Sequence, residues 1–122
     1  MNRKELISKL DKIDKTKLIR VIYHGLHVSI DRVESYRGSY DSISLSIDES
    51  EINNNYTVGD LIMELRKVTT LYGFKGGIYN VNELAHVYVS PYGYASSRFI
   101  DGVLLRDGVC LLTSCEELWE DK

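Results

Sequence analysis

Leu6, Ile7, Leu10 and Ile13 recur at helical spacing near the N-terminus, and the lysines at 4, 9, 12 and 15 fall largely on the other side. This is the pattern of an amphipathic helix. Asn2 followed by Glu5 has the spacing of a capping box that would start it, and the expected helix runs to about Asp14. Leu18 to His24 reads as a strand because β-branched and apolar residues crowd it, with Gly25 as a break. Val28 and Ile30 alternate with polar neighbours, then Val33 arrives out of phase. A β-bulge near Arg32 would produce that shift. Ser35 to Tyr40 reads as a turn or tight strand connection. Ile43, Leu45 and Ile47 alternate with serines, as in a half-buried strand.

Asp48 to Tyr56, with three consecutive asparagines, reads as a polar loop. Thr57 opens the strongest helical pattern, with Asp60 suited to the positive helix start. Its apolar stripe comprises Val58, Leu61, Ile62, Leu65, Val68 and Tyr72, and Gly73 stands where a terminating glycine belongs. Val81 to Glu83 is a short loop, His86 to Ser90 an alternating strand, and Pro91 to Ser97 an irregular loop bearing tyrosines. Phe99–Arg106 and Val109–Thr113 are apolar runs joined by Asp107-Gly108, a strong two-residue hairpin signal. No stretch of sequence repeats and no linker interrupts the chain. The expected fold is one α+β domain over residues 1–122, with an antiparallel β-sheet of about five to six strands and two helices packed on one face. A helix over 1–15 and an acidic tail over 116–122 form its ends.

Composition narrows the function classes. The chain has 122 residues, 43% apolar and 27% charged, as an ordinary globular protein does. A net charge of −3 argues against broad nucleic-acid binding, which rests on neutralising phosphates. Seven of the fifteen Lys and Arg residues fall within the first twenty, while Glu116, Glu117, Glu120 and Asp121 crowd the C-terminus. Such asymmetry can steer a partner, although a solvated helix face and an acidic tail account for it without one. No apolar run reaches the ~18 residues of a membrane span, and no signal-peptide core opens the chain, so a cytoplasmic protein is expected. Cys110 and Cys115 then read as reduced thiols. His24 and His27 flank Gly25, His86 is remote, and no metal is expected.

The candidate chemistry lies in Tyr72-Gly-Phe-Lys-Gly-Gly-Ile-Tyr79. Lys75 there, Arg37 in the Tyr36–Tyr40 stretch and Arg98 after the Tyr92/Tyr94 loop all have glycines or tyrosines close by. Cations suit phosphate, aromatic faces stack on bases, and glycine backbone presents N–H groups as an anion nest. The expected ligand set is Tyr36, Arg37, Gly38, Tyr40, Lys75, Gly76, Gly77, Tyr79 and Arg98. The same residues also serve bland ends, since tyrosines pack sheets and glycines turn chains. Lys75-Gly76-Gly77 lacks P-loop spacing, no G-x-S-x-G elbow exists, and Asp41, Asp101 and Asp107 need a cleft to act together. The expectation is a non-enzymatic protein without a cofactor that binds a nucleotide-type small molecule. The alternative is a protein-protein inhibitor of a host enzyme, using the tyrosine-rich loops with Arg37 and Arg98, or the acidic tail. A homo-oligomer is compatible with either, because small domains build sites across two-fold interfaces.

Two of these stretches together carry a resemblance. Ser35-Tyr-Arg-Gly-Ser-Tyr40, leading into Ile43–Ile47, resembles an S-[YW]-R-G-x-Y segment. Gly73-Phe-Lys-Gly-Gly-Ile-Tyr79, after the Thr57-Val-Gly-Asp-Leu61 helix start, resembles G-[YF]-K-G-G-x-[YF]. Both are similar to a group of small bacteriophage-encoded accessory proteins of mostly unassigned function, over about residues 33 to 104. Such proteins usually carry an alternating strand after the second motif, where this chain first has Asn80-Val-Asn-Glu-Leu84. The resemblance implies a phage origin and a host-directed role such as countering defence. It carries over Tyr36, Arg37, Gly38, Tyr40, Lys75, Gly76, Gly77 and Tyr79, and supplies no reaction.

Overall fold

A capping box starts the first helix, α1 (Arg3–Leu10). The Glu5 amide donates to Asn2 Oδ1 at 2.8 Å, and the Asn2 amide donates to Glu5 Oε1 at 2.9 Å. The computed structural model describes residues 1–37, 41–48, 55–67, 70–72, 78–80, 85–91 and 98–116. After α1 come β1 (Leu18–Tyr23), β2 (Leu26–Arg37), β3 (Asp41–Asp48), α2 (Val58–Lys67), β4 (Thr70–Tyr72), β5 (Ile78–Asn80), β6 (His86–Pro91), β7 (Arg98–Arg106) and β8 (Val109–Glu116). The β1–β2 and β7–β8 turns have positive φ at both central residues, His24 (51°) and Gly25 (79°), then Asp107 (53°) and Gly108 (78°). Type I′ hairpins require this, and Asx-Gly pairs supply it cheaply.

Six strands close into a barrel in the order β1-β2-β3-β6-β7-β8, with β8 returning to β1. The β1–β8 and β3–β6 pairs are parallel and the other four are antiparallel. The α+β class, the six mostly antiparallel strands and the two helices match the sequence expectation. The closure and the two parallel seams were not part of it. Bulges bend the two strands that run against the rest, at Asp31 in β2 and Asp101 in β7. Ile19, Val21 and Tyr23 of β1, Ile43, Leu45 and Ile47 of β3 and Val87 and Val89 of β6 face inward at alternate positions, and Leu6, Leu10, Leu61 and Leu65 from the helices join the same buried cluster.

Three local expectations change. The first helix ends at Leu10 rather than near Asp14, and residues 11–17 turn the chain. The second helix ends at Lys67 rather than reaching Tyr72, because Thr70–Tyr72 pairs with Ile78–Asn80 as a two-stranded sheet. β-branched and aromatic residues crowd 68–72, and strand pairing prevails there over the helical period. Gly73 lies outside the described residues. Ser35, Tyr36 and Arg37 extend β2 instead of turning, and residues 38–40 lie outside the described set.

The backbone repeats although the sequence does not. Arg3 N donates to Ala85 O and Val87 N to Met1 O; Val58 N donates to Lys17 O and Ile19 N to Tyr56 O. These bonds superpose if α1 matches α2 and β6 matches β1. The β2 bulge, flanked by the Ile30–Ile47 and Arg32–Ser46 pairs, then matches the β7 bulge, flanked by Ile100–Ser114 and Gly102–Thr113. Thr57 and Asp60 close a capping box as Asn2 and Glu5 do. The barrel is thus two αβββ units about a pseudo-two-fold axis, and each parallel seam joins one unit to the other. Met1 matches Tyr56 and Cys115 matches Asp48, so residues 116–122 are as many as the 49–55 connection. A permuted chain starting at Tyr56, running through Lys122 directly into Met1 and ending at Asn55, is therefore expected to fold. Circular dichroism should match the parent, and urea unfolding should fall within about 2 kcal/mol of it. An unfolded permutant would refute the interchangeability of the units.

Candidate functional site

The ligand residues read from the sequence divide into groups. Gly38, Tyr40, Lys75, Gly76 and Gly77 lie outside the described residues. Tyr36 and Arg37 end β2 opposite Ser42 and Asp41, and Tyr79 stands in β5 opposite Leu71. Strand β4 contacts β2, so the elements carrying the two stretches are neighbours. Arg98 is elsewhere. It begins β7, two strands removed from β2, and its guanidinium carbon stands 5.8 Å from the ring centroid of buried Tyr23. That is a cation–π contact at the far end of β1.

Other cations gather where the barrel closes. Arg20 pairs across the β1–β8 seam with Leu111, and Leu18 with Val109. Ile19, Val21, Cys110 and Leu112 point inward, so Arg20, Val109 and Leu111 occupy the outer face. They line a groove of about 340 Å³ together with His27, Arg106 and Asp107. Arg20 Nη1 donates to the Ile19 carbonyl at 2.9 Å, which anchors its head. Among the described residues, the side chains of His27 and Arg106 make no hydrogen bond or ion pair.

A second groove of about 420 Å³ runs along the outer side of α2, lined by Lys15, Gly59, Ile62, Met63, Arg66 and Lys67. Gly59 lets the helix meet the 11–17 turn. Its amide donates to Lys15 O at 3.0 Å, and a Cβ there would sit 3.2 Å from that oxygen. Asp11 pairs with Arg66 at 3.3 Å and Lys15 at 3.7 Å, and Glu64 with Lys67 at 3.6 Å. Exposed pairs of this kind contribute no more than ~1 kcal/mol, so an incoming anion can displace them. The grooves were not read from the sequence. Alternation marks Arg20 and Arg106 as outward-facing, but only the seam register brings them together.

The described residues hold little reactive chemistry. Burial pushes the Cys110 thiol up to about 11, and it is fully shielded from solvent, so it is no nucleophile at neutral pH. Burial, then Glu64 and Asp60, also raises the Tyr56 phenol. The Thr16 amide and hydroxyl hold Asp14 below the usual carboxylate range. No three His, Cys, Asp or Glu side chains gather as a metal site among the described residues, and no described helix is long and apolar enough to cross a membrane. Comparison with known protein families, curated proteins and solved structures returns no match.

The Cys110 environment sets a pH dependence. The folded thiol keeps its proton above the unfolded pKa, so its contribution is complete below about 8.5 and is lost as pH rises towards 11. In a Cys115→Ser background, urea titrations should find the stability gap between the parent and Cys110→Ala narrowing by about 2 kcal/mol from pH 8 to 11. A constant gap would contradict the burial argument.

Proposed function

We propose that the protein is a non-enzymatic binding protein that holds a phosphorylated, nucleotide-like ligand between Tyr36-Arg37-Gly38 and Lys75-Gly76-Gly77. Its resemblance to small bacteriophage accessory proteins suggests a counter-defence role in the host cytoplasm, in which binding sequesters a signal molecule. One observation carries the reading: β4, which leads into the Lys75 stretch, contacts β2, which ends in Tyr36-Arg37. Cations such as Arg37 and Lys75 suit phosphate oxygens, glycine amides add donors, and tyrosine faces accept a base.

Isothermal titration against mono-, di- and cyclic nucleotides tests this. At least one should release heat, and Arg37→Glu and Lys75→Glu should each weaken it roughly tenfold or more, the loss expected for a charge-assisted contact. No heat from any nucleotide with folded protein would sink the proposal.

The second reading is a protein-protein inhibitor of a host enzyme. The two grooves favour it, because each combines an apolar floor with a cationic rim, as a docking surface does.

A further inference from the structure

The two grooves belong to one surface. Lys15 lines the groove beside α2, and Lys17 Nζ comes within 4.0 Å of the Cβ position on Gly108, next to Arg106 and Asp107 of the seam groove. The segment from Lys15 to Arg20 therefore bridges them. Arg66, Lys67, Lys15, Lys17, Arg106 and Arg20 form a basic band on a chain of net charge −3, with Asp11, Asp14, Glu64 and Asp107 interspersed. Along the band aliphatic side chains line the floors: nearly buried Ile62 and exposed Met63 (55%) in one groove, half-buried Val109 over nearly buried Leu111 in the other.

The pseudo-two-fold tests whether the barrel itself demands this chemistry. At the matching positions of the β3–β6 seam, Ser42 replaces Val109, Ser44 replaces Leu111 and Tyr88 replaces Arg20. A seam of the same register thus closes with Ser44 and Tyr88 at the positions that Leu111 and Arg20 hold. The cations and aliphatic side chains of the β1–β8 seam are not a requirement of closure.

We propose that this band docks an acidic polypeptide segment of a partner protein, whose carboxylates meet the cations and whose aliphatic side chains enter the two grooves. The proposal rests on the inhibitor reading above and is independent of a ligand between the two stretches. The floors decide against single-stranded nucleic acid, which would need aromatic faces on which bases stack. Tyr23, Tyr88 and Phe99 serve elsewhere: Tyr23 lies beneath Arg98, and Tyr88 stacks on Phe99 at 4.8 Å. Adaptable methionine at an exposed groove suits a peptide anchor.

The test is fluorescence anisotropy with a labelled peptide alternating glutamate pairs and leucines, run beside the same peptide with serine for leucine and beside an oligothymidylate. The leucine peptide should bind, and lowering the salt from about 300 to 50 mM should tighten binding at least tenfold. The serine peptide and the oligothymidylate should each bind at least tenfold more weakly. Arg106→Glu, the pair Arg66→Glu with Lys67→Glu, and Met63→Glu alter exposed side chains, so the folded state should persist. Each should weaken the leucine peptide roughly tenfold, whereas Arg37→Glu should leave it within twofold. Tighter binding of the oligothymidylate, equal binding of the serine peptide, or unchanged affinity in folded charge-reversal variants would overturn the proposal.

Discussion

Each helix begins by hydrogen-bonding its first turn to the strand that opens the other half of the molecule, and the architecture depends on this exchange. Met1 and Arg3 hold Val87 and Ala85, while Tyr56 and Val58 hold Ile19 and Lys17. The two seams, β1 with β8 and β3 with β6, likewise join one half to the other. Neither half can close a barrel alone. Either would expose two unpaired strand edges and half of a common core. The stability of the two units is therefore cooperative. The β1–β8 pairing joins residues about ninety positions apart, a separation that costs loop-closure entropy before it returns any contact.

A duplicated barrel constrains its interior twice and leaves its outside free. Core positions on both halves are filled mainly by Val, Ile and Leu, whereas the outward seam positions share no chemistry. The second unit inserts β4 and β5 before its first strand, and β4 lies against β2. At the corresponding place the first unit has only the short 11–17 turn, whose lysines help to form the basic band. Differences between equivalent halves are the natural places to seek function, because the fold does not account for them.

Much of the fold was legible because its signals are local. Asn2 and Glu5 act within one helical turn. Asp107-Gly108 supplies the φ values its turn needs, and the phase change between Ile30 and Val33 records the bulge. The misplaced end of α2 shows the limit. Leu65 and Tyr72 fit one helical stripe, but Tyr72 pairs with Ile78, a partner six residues further on that helical period does not reveal. The candidate ligand stretches were visible as composition. The contact between β2 and β4, which hold their described ends, emerged only in the fold, and Arg98 was parted from β2 by β3 and β6.

From residue order alone follow the elements, the faces they bury and the cations that must point outward, because caps, turns and alternation act over a few residues. Packing settles what lies beside what: the closure, the unannounced repeat, and the meeting of Arg20 with Arg106 and of Lys15 with Arg66 across grooves. The reason is physical. An outward side chain on a strand carries no mark of the strand that will lie next to it, and parallel seams between distant segments are selected by burial of the whole core.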